Sequence, residues 1–160
     1  MTKPLDTYGL SHGVSRLSHA MQMLVELIPY TDDSHLPRVV GIACLEDWFI
    51  NYRLLIEFML LKPPSNCAGA TTFVQGWGSV AAGRLGQLRA DYGWASQDVS
   101  HIGIPKPNAP TGNIAPQALY VRAADLLDVV EVFVLAMEGE RHPLAPMVRI
   151  ALTRARSGVP

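Results

Sequence analysis

Residues 36–62 carry the longest uninterrupted helical pattern in the chain and constrain its fold most. Pro37 suits a first helical turn, where the amide it lacks would go unpaired anyway. Pro63-Pro64 stops the segment near Lys62, because proline cannot continue the backbone ladder. A helix of about 25 residues is long for a globular protein. Val40, Ile42, Leu45, Trp48, Phe49, Leu55, Ile56, Phe58 and Met59 cover most of its circumference. A helix apolar nearly all round is buried, so the expected fold wraps other helices around this one.

The rest of the chain supplies those helices. Leu17, Met21, Leu24, Val25 and Ile28 recur at spacings of three and four, which predicts a first helix from about Ser11 to Leu27. Pro29 and Thr31-Asp32-Asp33-Ser34 close it as a loop. The connection from Pro63 to Gly78 contains a candidate extended piece, Thr71-Thr72-Phe73-Val74. A third helical region is expected over Ser79–His101, with a candidate break at Tyr92-Gly93, followed by a proline-stiffened loop, Ile102–Ala115. A fourth helix spans Pro116–Met137 and a last one Leu144–Arg156, ending at Gly158. The expected fold is all-α: a compact bundle of four to five helices in a single domain over residues 1–160, ordered from about 10 to 156. No internal repeat or domain boundary interrupts it.

Composition narrows the class of function. The chain has 160 residues, 49% hydrophobic and 17% charged, a globular balance. A net charge of −1 gives no global field toward nucleic acid or anionic membrane. The apolar runs Leu54–Leu61 and Val129–Met137 are broken by Glu57 and Glu131, short of the ~20 residues a membrane span needs. Cys44, inside an apolar run, is expected in the core, while Cys67 sits in a polar loop. With no Cys-x-x-Cys pair and a polar stretch from Met1 to Gly9, the expected compartment is cytoplasmic and reducing.

One constellation stands out on the second helix. At 100° per residue, Glu46, Ile50, Arg53 and Glu57 fall within about a 60° sector, flanked by Asp47 and Asn51. Arg53 is four residues before Glu57, the spacing of a direct ion pair. Either this stripe is a solvated edge or polar contact of little energy, or it lines a partly buried pocket whose desolvation marks a site.

The segment from Leu45 to Phe58 resembles a helix of small, uncharacterised, mainly actinobacterial proteins with the pattern L-E-x-F-x-x-H-x-R-x-L-I-[DE]-F. Glu46, Arg53, Leu55, Ile56, Glu57 and Phe58 match it, and Asn51 stands where that group has histidine. Further along, Ser96–Ile102 resembles the end of the R-x4-H signature of HEPN domains. That resemblance, over about half the chain, implies a helical bundle, often dimeric, found in prokaryotic defence and toxin–antitoxin systems, with ribonuclease activity in active members. His101 fills the histidine position, but Ser96 replaces the arginine and cannot supply a phosphate-binding fork. The motif is degenerate, and nuclease chemistry through His101 would need Arg53 or Arg89 as a surrogate charge.

Other features were weighed against plainer accounts. Asp98 lies three residues before His101, close enough to orient an imidazole, although a helix-end histidine is favoured by the dipole alone. His12 and His19 belong to no metal-ligand spacing, so no metal and no cofactor are expected. Gly76, Gly78, Gly83 and Gly86 match no phosphate-binding loop and suit close packing or a flexible connection. Trp77 and Trp94 are expected in the core. Arg149, Arg154 and Arg156 make the last helix basic, as a solvated face or a weak RNA contact. The leading functional expectation is a non-catalytic helical interaction module, homodimeric, with a protein partner as a further option. Its rivals are a metal-independent ribonuclease using His101, and a pocket protein that binds a ligand through Glu46, Asn51, Arg53, Glu57, Asp98 and His101, with Glu46 and Glu57 taking a small cation or amine.

Overall fold

The computed structural model describes residues 7–60, 68–99 and 114–160, with side chains described from 9 to 60, 68 to 96 and 114 to 160. Five long helices carry the fold: α1 (Thr7–Glu26), α2 (Arg38–Met59), α5 (Leu85–Val99), α6 (Pro116–Gly139) and α7 (Ala145–Arg156). Two single turns, α3 (Ala70–Phe73) and α4 (Trp77–Val80), lie between α2 and α5. The molecule is all-α, with no strand among the described residues. No described helix is long and apolar enough to cross a membrane.

Helix ends explain where the sequence pattern gave way. Helix α1 begins at Thr7, ahead of the expected Ser11. The candidate extended piece at 71–74 is instead mostly a helical turn, in which Thr72 Oγ1 accepts from the Gly69 amide at 3.2 Å; Val74 alone is extended. The expected break at Tyr92-Gly93 is absent, and α5 runs through it. The interruption falls earlier, at residues 81–84, a turn that contains Gly83 and whose first residue, Ala81, is buried in the core. The expected loop 102–115 lies largely outside the described residues. At the end of α6, Arg141 takes the left-handed conformation (φ 55°), so its amide reaches Glu138 O and the His142 amide reaches Met137 O. This paired closure is usually made by glycine.

Packing divides α2 into two unlike faces. Trp48, Phe49, Tyr52, Leu55, Ile56 and Met59 are buried, at the spacing of a single helical face. Each such side chain contributes roughly 1.5–3 kcal/mol on burial. The opposite face is open: Val39 is 70% exposed, Ile42 and Ile50 46%, and Leu54 44%. The expectation of a rod buried all round is therefore corrected. Helices α1 and α5 cover only one side of α2, and α6, with nine buried residues, shares the centre.

Two tryptophans fasten helix ends. Trp48 Nε1 donates to Leu24 O at 2.8 Å, and Trp77 Nε1 donates to Met59 O at 2.7 Å. Both carbonyls lie in last turns, which leave acceptors without a partner in their own helix. Gly41 allows another close approach: a Cβ there would stand 2.9 Å from Thr31 O.

Candidate functional site

The charged stripe lies on the open side of α2. Arg53 Nη2 is 3.7 Å from Glu57 Oε1. The Tyr92 hydroxyl, from α5, donates to that same oxygen at 2.9 Å and accepts from Arg53 Nη2 at 3.5 Å. The guanidinium carbon sits 5.4 Å from the Tyr92 ring centroid. Arg53 and Glu57 thus meet at the margin between α2 and α5, half-exposed, where such a pair stabilises by only a few tenths of a kcal/mol.

The other stripe residues do not join them. No described residue hydrogen-bonds or ion-pairs with the Glu46 carboxylate. Glu46 and Glu57 are eleven residues apart, about 16 Å along the axis, so one small ammonium cannot touch both. Asn51 is buried and donates from Nδ2 to Asp47 O at 2.8 Å, which commits its amide to its own helix. Asp98 belongs to α5, but its side chain, like all of His101, lies outside the described residues. Ser96 is half-buried in α5 and Arg89 is exposed on the same helix.

A shallow depression of about 510 Å³ opens beside the α1–α2 connection, lined among others by Asp32, Asp33, Leu36, Arg38, Ile42 and Leu45. None of the charged stripe residues lines it. Its acidic groups sit on the α1–α2 loop, its basic group Arg38 opens α2, and Asp33 Oδ1 already accepts from the His35 amide at 2.8 Å.

The best-built polar cluster escaped the sequence pattern. Asp91 of α5, 9% exposed, accepts from Arg122 Nη1 of α6 at 3.0 Å and from Gln87 Nε2 at 2.9 Å. The Arg122 guanidinium lies 3.8 Å from the Trp94 ring centroid, a cation–π contact. Tyr52 of α2, stacked on Trp48 at 4.8 Å, presents its hydroxyl to the same ion pair. One signal could have exposed the cluster: Arg122 lies three residues after Leu119 and four before Leu126, a core-facing position. With Tyr52 on α2, Asp91 and Trp94 on α5 and Arg122 on α6, it is a structural clasp between three helices. Trp77 is fully buried as expected, whereas Trp94 is only half-buried.

Burial, and then the negative charge of Asp91, push the Tyr52 hydroxyl well above its ordinary value of 10.0, with Arg122 pulling the other way. The raised native value means that Tyr52 contributes its full stability below about pH 10 and loses it as pH climbs toward that native value. Thermal unfolding should therefore fall more steeply above about pH 10 in the wild type than in Tyr52→Phe. Identical alkaline slopes would show that the hydroxyl is solvated.

The remaining candidates resolve simply. Among the described residues, no group of three or more His, Cys, Asp or Glu side chains could hold a metal ion. His12 and His19 are exposed on α1, and Cys44 is half-buried rather than in the core. On α7, Arg149 pairs with Glu131 and Glu138, and Arg156 with Asp128 at 2.7 Å, all on α6. These two arginines are helix-to-helix clamps rather than a bare basic face. Gly76 takes a left-handed turn (φ 74°), and an added Cβ would meet nothing within 4 Å at Gly76, Gly83 or Gly86, so close packing is not their role. No protein-family model matches the chain, and no curated protein or solved structure is significantly similar to it.

Proposed function

We propose that this chain is a non-catalytic helical interaction module that associates through the open face of α2. One observation carries the reading. Val39, Ile42, Ile50 and Leu54 are all more than two-fifths exposed on one side of one helix, running about 22 Å along it. Single exposed apolar residues need no explanation, but four large ones on one side of one helix, with Glu46, Asp47 and Arg53 set among them, support an interaction surface. Elsewhere the exposed large apolar residues are spread over several elements: Tyr30 before α2, Val80 on α4, Val121 and Leu135 on α6, and Met147 and Ile150 on α7.

The polar groups of the described residues support binding rather than chemistry. Arg53, Glu57 and Tyr92 hold one another, and Asp91 and Arg122 pair with each other beside the Trp94 ring. Sedimentation of the wild type and of Ile50→Lys, from micromolar concentration upward, tests the reading. The wild type should assemble, and the buried lysine charge should abolish assembly while the circular dichroism spectrum stays helical. A wild type that remains strictly monomeric would remove the proposal. RNA cleavage by the wild type that is lost in His101→Ala would replace it with the nuclease alternative.

A further inference from the structure

We propose that the occupant of the α2 face is a second copy of this chain, packed antiparallel across a two-fold axis that passes between Phe49 and Ile50. The inference rests on the interaction reading above and names its partner and geometry.

The first support is the spacing along the open face. Val39, Ala43, Glu46, Ile50, Arg53 and Glu57 follow one another at alternating intervals of four and three. Positions at these intervals share one side of a helix, and here apolar Val39, Ala43 and Ile50 alternate with charged Glu46, Arg53 and Glu57. All six are exposed or half-buried, so that side is available.

The second support is the order of charges. Glu46 and Arg53 stand equally far from the midpoint between residues 49 and 50, roughly 5 Å along the axis in opposite directions. Both lie on the same flank of Ile50, within about 60° of it. A two-fold axis perpendicular to the paired helices reverses direction along the helix but keeps the flank. Glu46 of one copy therefore faces Arg53 of the other, and symmetry makes the pair twice. A parallel pair would instead set Glu46 against Glu46 and Arg53 against Arg53, which is repulsive.

The individual groups fit this arrangement. Among the described residues, nothing neutralises Glu46. The Arg53 contacts to Glu57 and Tyr92 run through Nη2, and the side chain is still 29% exposed. Its guanidinium has five N–H donors, so it can keep the Tyr92 contact and still meet a carboxylate from outside. On the other flank, the small Ala43 leaves room for Leu54 of the second copy. Ile50 lies almost on the axis and meets its own equivalent. One helix pair is a small interface, so association should be weak and dependent on concentration.

Cross-linking tests the geometry directly, in a Cys44→Ser, Cys67→Ser background that removes the native thiols. On mild oxidation, Ile50→Cys should form a disulfide-linked dimer, because residues next to the axis come within disulfide reach. Val39→Cys is more exposed but about 31 Å from its equivalent in this arrangement, and should remain uncross-linked. Glu46→Arg and Arg53→Glu should each weaken the dimer by roughly tenfold or more, and the double exchange should restore it. Equal cross-linking at both positions would mean a parallel pair. A stable dimer without cross-linking at Ile50→Cys would place the interface elsewhere, and a double exchange no better than the singles would deny the reciprocal ion pair. Each of these outcomes overturns the antiparallel arrangement while the chain still assembles. A strict monomer instead fails the interaction reading itself.

Discussion

Trp77→Ala is expected to lower the unfolding free energy by about 4 kcal/mol. The side chain is fully buried and meets Phe133 edge-on with ring centroids 5.5 Å apart. Phe133 in turn touches Phe58 and Phe73, so the indole closes an aromatic cluster that joins α2, α3, α4 and α6. Removing it opens a cavity that rigid rings cannot collapse to fill. It also strips the buried Met59 carbonyl of its donor at the end of α2. Trp77→Phe separates the two effects, since it keeps most of the volume and loses the hydrogen bond, which should cost about 1–2 kcal/mol. Urea denaturation reads both as a shifted midpoint with an unchanged slope. A loss under about 1 kcal/mol for the alanine variant would show that α4 is not cemented to the core as described.

Asp91→Ala should cost about 2–3 kcal/mol, which is unusual for an acidic residue. Its carboxylate is nearly buried and accepts from both Arg122 and Gln87. Without it, the Arg122 cation keeps the Trp94 ring and the Tyr52 hydroxyl but no opposite charge among the described residues. The loss stays below that of a fully buried pair because about a third of the Arg122 side chain remains exposed and can rehydrate. Pairing Asp91→Leu with Arg122→Met should restore much of the loss, since an apolar pair leaves no charge stranded. A double-mutant cycle decides the matter: the coupling between positions 91 and 122 should exceed about 1 kcal/mol, and additive effects would mean the pair is solvated.

The parts of the fold legible in the sequence were those set by local chemistry. The start of α6 at Pro116 and the early turns of α2 follow from prolines that suit only the first positions of a helix. The Arg53–Glu57 pair follows from four-residue spacing on any helix. Less legible were features in which one element answers another. The interruption near residues 81–84, rather than at Tyr92-Gly93, depends on α5 packing along α2, which offsets the roughly 1 kcal/mol that Gly93 costs a helix. The roles of Arg149 and Arg156 depend on acids of α6 that are distant in sequence.

The chain alone determined that it would be helical, because recurring apolar side chains at three and four residues and well-placed prolines act within a single turn or two. It also determined which residues share each side of α2, since that is fixed by helical geometry. Only the tertiary structure decided which side faces inward. Both sides of α2 are apolar enough to be buried, and α1 and α5 settle on one of them, leaving Ile50 and its neighbours open. Tertiary structure likewise made Asp91, Arg122 and Tyr52 a unit, because a buried ion pair forms only where separate helices bring opposite charges together away from water.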